Sequence, residues 1–217
     1  MRQALSDCLV ETAARDPRTI LLTGDHGYAL FDEFRRVCPE QYVNAGIAEQ
    51  NMIGMAAGLA RSGFRPIVYG LSAFVPVRVM EQIKIDLAHD NLPVLILGDG
   101  AGFVYSHLGT SHQSTEDISC LRAIPNVRIY SPSDPHELKA CFNLAWADGG
   151  TSYLRVGKAD RGAVHAATIE GLRVGDLVSV IEGAADAPVI IATGSMVSTA
   201  VRVARALGAV AVWSAPI

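Results

Sequence analysis

The sequence predicts an α/β fold in which a parallel, doubly wound sheet carries helices on both faces. Short and almost continuously apolar runs recur along the chain, and residues 19–23 and 93–97 are the clearest of them. Such runs are typical of strands that are buried on both faces of a parallel sheet. Longer segments with apolar residues at helical spacing lie between the runs. This alternation indicates crossover connections and parallel strand pairing.

Local signals define the individual elements of the first domain. Proline and glycine favour helix ends, so we place the ends of the first and third helices just before Pro17 and Gly63. Asp134, with Glu137 three residues later, forms a capping-box pattern that begins the last helix. We therefore predict helices at residues 2–15, 30–37, 49–62, 75–89, 116–123 and 135–147. Strands are predicted at residues 19–23, 42–43, 65–69, 93–97, 127–130 and 152–156.

The pattern changes after residue 158, and we divide the chain there. Residues 1–158 form the first predicted domain, and residues 159–174, which combine glycines with mixed polar residues, form a linker. Residues 175–217 begin a second α/β domain. Its predicted elements are strands at 178–181, 189–192 and 210–213 and a helix at 196–207. One and a half crossovers cannot cover both faces of a sheet. We therefore expect this domain to be incomplete, so that either the chain continues or another subunit completes it.

Composition and charge exclude several classes of protein. Half of the 217 residues are hydrophobic, only 18% are charged, and the mean hydropathy is +0.26, so a large core is available. The net charge of −4 and the lack of a Lys/Arg cluster argue against nucleic-acid binding. No apolar run is long enough to span a membrane, and the N-terminus lacks the apolar core of a signal peptide. Four cysteines without CxxC spacing suggest neither zinc nor disulfides, so we expect a cytoplasmic protein.

One short stretch, residues 44–51, joins a strand end to a charged helix start. Glu49 falls in the first turn of an otherwise apolar helix, where the helix dipole favours a carboxylate. The same position lies beyond the carboxyl ends of the strands, where open α/β sheets bind ligands. Four other polar residues follow predicted strand ends, namely Asp25, His26, His107 and His112. We predict that these side chains converge on one cleft, although Glu49 on a plain surface helix is the alternative.

The long polar loop at residues 98–115 begins with Gly98-Asp99-Gly100. This triplet resembles the start of the metal–diphosphate signature of thiamine diphosphate enzymes, but that signature needs an Asn pair downstream and only Asn126 is present. Magnesium prefers several hard oxygen ligands, so we interpret the triplet as a turn and predict no metal site. The two loop histidines likewise lack the further ligands that zinc needs. A loop of this length is usually functional.

Residues 44–60, NAGIAEQNMIGMAAGLA, resemble the pyrimidine-binding domain of the transketolase family. That family includes deoxyxylulose-phosphate synthases and the β subunits of 2-oxoacid dehydrogenases. Four further motifs resemble it in the same order: FVPVRVMEQI (74–83), TSHQSTED (110–117), AIPNVRIYSPSD (123–134) and YLRVGK (153–158). The second and third of these are most similar to transketolases, especially those split into two polypeptides. The resemblance implies the thiamine diphosphate-binding fold, and the remainder of the chain resembles the start of the family's C-terminal domain.

The resemblance implies thiamine diphosphate as the cofactor and assigns roles to residues. Glu49 would hydrogen-bond N1′ of the aminopyrimidine and favour the imino tautomer that takes up the thiazolium C2 proton. Phe74 would stack on the pyrimidine ring, although core packing is the alternative for this side chain. The implied cofactor-binding residues are Asp25, Ile47, Glu49, Gln50, Leu71 and Phe74. His112 would act in catalysis, and the implied substrate-binding residues are His26, His107, His112 and Lys158.

The domain that binds diphosphate and Mg²⁺ in this family has no counterpart in the sequence. The resemblance therefore implies an obligate partner of the diphosphate-binding, N-terminal type in an α2β2 assembly. That partner would hold both the diphosphate and the Mg²⁺. The complex would transfer a two-carbon ketol or acyl unit from a small ketose or 2-oxo substrate. Nucleic acids and membranes are not expected partners.

Several substrate contacts of the family are replaced in this chain. Gly100, Leu108 and Ala29 fall near the positions of a histidine, an aspartate and a serine that contact sugar or phosphate. Lys158 stands where an arginine is usual, and lysine offers a point charge instead of a bidentate fork. We therefore expect an atypical substrate that lacks a phosphate. Two alternatives stay open: a β subunit of a 2-oxoacid or acetoin dehydrogenase, and a non-catalytic pseudo-subunit, against which the costly Glu49 carboxylate argues.

Overall fold

The computed structural model describes residues 1–157 and 162–217. The strands of the first domain are β1 (Thr19–Thr23), β2 (Tyr42–Asn44), β3 (Arg65–Leu71), β4 (Leu95–Asp99), β5 (Arg128–Tyr130) and β6 (Ser152–Val156). They form one six-stranded sheet in the order β2-β1-β3-β4-β6-β5, and every neighbouring pair is parallel. The predicted parallel α/β fold is therefore confirmed.

Helices on both faces connect these strands. They are α1 (Arg2–Arg15), α2 (Asp32–Val37), α3 (Glu49–Arg61), α4 (Met80–Gln82), α5 (Asp117–Leu121) and α6 (Pro135–Asp148). A π-helical segment, Ile83–Ala88, continues α4, and short 3₁₀ turns lie at Pro39–Gln41 and Ser106–Leu108.

Alternate residues of the strands supply two apolar layers, as the pleat of a strand requires. In β1, Leu21 belongs to the layer that contains buried residues of α1, α2 and α6. The next residue, Leu22, belongs to the layer that contains buried residues of α3, segment 83–88 and α5. Both residues are fully buried. The sheet is thus covered on both faces, which is the doubly wound arrangement that the apolar strands predict.

The predicted helix at residues 75–89 is wrong in its first part and in its type. Residues 72–79 form turns, and the helix begins only at Met80. Val79, directly before this helix, has a non-helical backbone with φ −120° and ψ 21°, so the helix cannot extend back to Val75. Val75 and Val79 are fully buried, so packing against the sheet fixes this turn in place of a regular helix. Tertiary packing here overrides the helical spacing of the sequence.

The structure also corrects the interpretation of Gly98-Asp99-Gly100 as a turn. Gly98 and Asp99 are the last residues of β4, and the chain turns only at Gly100, whose φ is +79°. A Cβ at Gly98 would overlap with Tyr153 of the neighbouring strand β6. The Tyr153 hydroxyl donates to the fully buried carboxylate of Asp117 at 3.0 Å. Glycine at position 98 therefore leaves the space that this buried hydrogen bond needs.

The second domain contains β7 (Val178–Ile181), β8 (Val189–Ala192), α7 (Met196–Leu207) and β9 (Ala211–Ser214). Its sheet has the order β7-β9-β8, in which β8 is parallel and β7 antiparallel to β9. Helix α7 covers one face through buried side chains such as Val197 and Val201. Val189 and Ile191 alternate with the inward residues of β8 and are 54% and 60% exposed. The other face of this sheet is therefore open in the described chain.

The predicted domain boundary at residue 158 falls among residues 158–161, outside the described ranges, and stays a prediction. Strand β6 ends at Val156 and β7 begins at Val178. Residues 162–174, within the predicted linker, contain no helix or strand. All four cysteines are free thiols. None of the helices in residues 1–157 and 162–217 has the length and hydropathy of a membrane-spanning segment.

A buried ionic contact attaches the linker to the first domain. Asp134 caps α6 through one carboxylate oxygen, and its other oxygen accepts from the backbone N–H groups of Val164 and His165 at 2.9 Å. The His165 ring lies 3.2 Å from Asp134 and 3.5 Å from Glu137. Burial lowers the pKa of His165, but its hydrogen bond to Asp134 and the charges of Glu137 and Asp134 outweigh this, so the pKa is raised. Burial alone would raise the pKa of Asp134, yet hydrogen bonds from His165 and from backbone N–H groups lower it.

This contact predicts a pH-dependent contribution to stability. Folding raises the His165 pKa. The stabilisation of the folded state by the protonated His165 ring is therefore fully present below the unfolded-state pKa of about 6.5, and it is lost as pH rises through the folded-state pKa. His165→Asn should therefore lower the free energy of unfolding by about 1–3 kcal/mol at pH 6 and by less at pH 9. Urea unfolding followed by circular dichroism measures this. The matched control is His89→Asn at a largely exposed histidine. An equal loss for His165→Asn at both pH values would contradict the assignment.

Candidate active site

Glu49 is the first residue of α3, and its position follows from the turn between β2 and that helix. The Asn44 side chain accepts a hydrogen bond from the Gly46 N–H at 2.9 Å, and Gly46 has a φ of +71°. This local turn redirects the chain from the strand end into the helix. Glu49 is only 4% exposed, although it begins the helix. A carboxylate is thus buried at the positive end of the α3 dipole.

Arg78 pairs with this buried carboxylate. Its Nη1 lies 3.1 Å from Glu49 Oε2, while the guanidinium also lies over the Phe74 ring at 4.2 Å from the ring centre. The backbone carbonyl of Arg78 accepts a hydrogen bond from the Gln50 side chain at 3.4 Å. The planar cation therefore lies between a carboxylate and an aromatic face. Arg78 is not among the residues predicted from the sequence, although it lies four residues after Phe74 in the motif FVPVRVMEQI.

Phe74 connects this pair to the long loop. Its ring meets the ring of His112 edge to face, with centroids 5.3 Å apart. His112 Nδ1 lies 2.9 Å from the hydroxyl of Ser111. A continuous series of contacts therefore runs from Glu49 through Arg78 and Phe74 to His112. The structure brings together the predicted residues Glu49, Gln50, Phe74 and His112.

A cleft of about 380 Å³ lies next to this series, at the carboxyl ends of β1, β3 and β4. His26, Leu71 and His112 line it, as do Tyr69, Asp99 and Leu108. His26 Nδ1 lies 2.5 Å from the Gly24 carbonyl, and its Nε2 accepts the Leu71 N–H at 3.1 Å. Both ring nitrogens are therefore used in holding the ends of β1 and β3 together, which fixes the ring at the cleft wall.

Tyr69 and Asp99 form a buried polar pair in the same cleft. The Tyr69 hydroxyl donates to Asp99 Oδ2 at 2.8 Å. Burial, the Asp99 charge and this hydrogen bond raise the pKa of Tyr69 well above its ordinary value, so the phenol stays a neutral donor. From the sequence alone, Asp99 is predicted only to be part of a turn. Its location at the end of a buried strand, which also drew attention to Asp25, was the signal that could have found it.

The other predicted site residues lie at the surface around the cleft. Asp25 is exposed and accepts a hydrogen bond from Asn44 at 3.1 Å. Ile47 is 79% exposed, and Gln50 is also exposed. His107 is exposed, and its ring lies 6.4 Å from that of Tyr105. The predicted site residue Lys158 lies outside the described residues.

The arrangement fits the aminopyrimidine ring that the sequence resemblance implies. Such a ring is planar and needs a carboxyl group at one edge and apolar contacts on its faces. Glu49 offers the carboxyl group, and Phe74 and the exposed Ile47 offer apolar surface. The planar Arg78 guanidinium lies between Glu49 and Phe74, so a planar ring in that position would have to displace it. In residues 1–157 and 162–217, no group of three or more His, Cys, Asp or Glu side chains could hold a metal ion.

Comparison with known sequences assigns most of the chain to one family. The family profile described as transketolase, pyrimidine binding domain, matches residues 1–161. The chain is 37% identical over 159 residues to a subunit of the apulose-4-phosphate transketolase of Phocaeicola vulgatus, covering 73% of this chain and 51% of that protein. It is 34% identical over 157 residues to a 6-deoxy-6-sulfo-D-fructose transketolase subunit of Clostridium sp. (strain MSTE9), covering 72% and 49%. The chain thus spans about half the length of these relatives.

A solved transketolase structure also resembles this chain in fold. A split-gene transketolase, described as an inactive β4 tetramer, superposes with a TM-score of 0.88 at 30% sequence identity. The match covers 99% of this chain and 71% of that one. The family profile, the two relatives and this fold agree with the resemblance seen in the sequence. The chain therefore belongs to the transketolase family and carries its pyrimidine-binding domain.

Proposed function

We propose that this chain is the pyrimidine-binding subunit of a split, thiamine diphosphate-dependent transketolase that transfers a two-carbon ketol or acyl unit. The observation that carries the proposal is the Glu49 carboxylate, which is buried at the start of α3 and is connected to Phe74 through Arg78. A buried carboxylate needs a partner, which is Arg78 in the described chain and would be the cofactor in the complex. When bound, thiamine diphosphate supplies a nucleophilic carbon for breaking and forming bonds beside a carbonyl group.

The residues of this chain would have three tasks in that reaction. Glu49 would exchange its partner Arg78 for N1′ of the aminopyrimidine and hold or release a proton there. Phe74 would lie against one face of the ring, with Ile47 and Leu71 as apolar contacts. His112, which touches Phe74, would hydrogen-bond the substrate close to the cofactor. Asp25, Gln50, His26, His107 and Lys158 stay predicted binding residues.

The partner subunit is part of the proposal. Three large apolar side chains around the site are strongly exposed, namely Tyr28, Ile47 and Leu108 at 72%, 79% and 49%. Exposed apolar patches of this kind mark interaction surfaces. The two relatives described above are named as transketolase subunits. We propose that a diphosphate-binding subunit covers this surface in an α2β2 assembly and holds both Mg²⁺ and the diphosphate.

The cleft supports an atypical substrate. Its lining contains one arginine, Arg2, together with the apolar side chains of Leu71 and Leu108, as far as the described residues show. Phosphate recognition usually relies on several charge-assisted hydrogen bonds. The relatives are named for apulose 4-phosphate and for a 6-deoxy-6-sulfo sugar, so relatives of this chain differ in the anion of their substrate. We propose a substrate without a phosphate, and a cytoplasmic location stays a prediction.

Replacement of Glu49 tests the catalytic proposal. Glu49→Gln keeps the size and a hydrogen bond to Arg78 but removes the exchangeable proton. We expect the two-carbon transfer rate of the complex with the diphosphate-binding subunit to fall by at least about 100-fold. The matched control is Glu40→Gln at an exposed glutamate away from the site, which should keep full activity. Unchanged activity in Glu49→Gln would instead support a non-catalytic subunit.

A comparison of donors tests the substrate proposal. Steady-state kinetics of the same complex should be measured with pairs of ketoses that differ only in a terminal phosphate. Because Arg2 is the one arginine or lysine among the described residues that line the cleft, kcat/KM for the unphosphorylated member should equal or exceed that for the phosphorylated one. A preference of about 100-fold or more for phosphorylated ketoses, which corresponds to a dedicated phosphate site, would contradict the proposal.

A further inference from the structure

A second cavity, of about 540 Å³, lies between the two domains. The loop after β4, the segment after β5 and the end of β6 line it from the first domain, and residues 194–196 line it from the second. It shares no lining residue with the cleft of His26 and His112. The proposed transketolase activity therefore does not account for it.

Ser131 provides the first sign that this cavity binds something. The residue is only 5% exposed, and its hydroxyl has no hydrogen-bond partner among the residues that the structure describes. Its backbone is fixed at the domain junction, because its N–H donates to the Pro216 carbonyl at 2.7 Å and its carbonyl accepts from the Gly194 N–H at 2.9 Å. A buried hydroxyl without a partner costs free energy and calls for an explanation.

Arg155 directs a second donor to the same place. Its Nε donates to the buried Asp117 at 2.6 Å and its Nη2 to the Ser114 carbonyl at 3.3 Å, which fixes the guanidinium. A Cβ on Gly194 would lie 2.7 Å from Ser131 Oγ and 3.8 Å from Arg155 Nη1. Because position 194 is a glycine, no side chain fills the space between these two donors.

The start of α7 adds positive potential. This helix has twelve residues from Met196, and no side chain caps its amino end. Gly194, Ser195 and Met196 all line the cavity. The amino end of a helix favours negative charge, and the planar fork of an arginine recognises oxyanions. A hydroxyl donor, a guanidinium and a helix start thus line the same cavity.

We propose that this cavity binds a phosphate group, either as free phosphate or on a small phosphorylated metabolite. Ser131 and Arg155 would donate hydrogen bonds to its oxygens, and the start of α7 would complete the site from the second domain. The bound anion would therefore hold the two domains together. This proposal is independent of the proposed function, because the two sites share no residue.

Calorimetric titration of the purified chain tests the proposal, with inorganic phosphate and glycerol 3-phosphate as separate probes at constant ionic strength set with NaCl. We expect saturable binding of at least one probe, and the tighter probe distinguishes free phosphate from a phosphate ester. Ser131→Ala should weaken that binding on the order of tenfold, because a hydrogen bond to a charged group is lost. Arg155→Lys, which keeps the charge but removes the planar fork, should also weaken it.

The matched control is Thr19→Val. Thr19 is fully buried at the amino end of β1, and its hydroxyl also lacks a partner among the described residues. Thr19→Val should therefore bind phosphate as the original chain does. Absence of saturable binding by the original chain, or equal affinity in Ser131→Ala, would overturn the proposal. Equal weakening in Thr19→Val and Ser131→Ala would also overturn it, because the effect would then be structural.

Discussion

The burial of one carboxylate constrains the whole site. Glu49 is removed from water at the start of α3, and a buried charge needs a partner. In the described chain the helix dipole and Arg78 stabilise it, and Arg78 in turn lies over Phe74, which contacts His112. A ligand that binds Glu49 must therefore compete with a planar cation. For the aminopyrimidine ring of the proposed cofactor, this means that Arg78 has to move away from Glu49 when the ring binds.

The parallel sheet determines where such groups can meet. All strands of the first sheet end at one edge, and the cleft, the Glu49 site and the cavity between the domains all lie there. The loop that follows Asp99 contributes residues to both the cleft and the cavity. One sheet edge thus carries the proposed catalytic site and a separate cavity lined by Ser131 and Arg155, and residues of the second domain line only the latter.

Much of the fold could be predicted from the sequence, because strands buried on both faces leave continuous apolar runs such as residues 93–97. The location of Glu49 was predictable for a similar reason, since a charged residue after a strand is conspicuous. Arg78 was not, because its contact depends on the turn at residues 72–79, where buried Val75 and Val79 override the helical spacing. Ser131 was not predictable either, because the lack of a hydrogen-bond partner is visible only in three dimensions.

Under the proposed function, this chain supplies only one half of a cofactor site. Calorimetric titration with thiamine diphosphate and Mg²⁺, carried out on the chain alone and on its complex with the diphosphate-binding subunit, tests it most directly. We expect no measurable binding to the chain alone, because its described residues offer a carboxylate and apolar contacts for the ring but no metal cluster for the diphosphate. The complex should bind the cofactor stoichiometrically. Tight, stoichiometric binding by the chain alone would contradict the account.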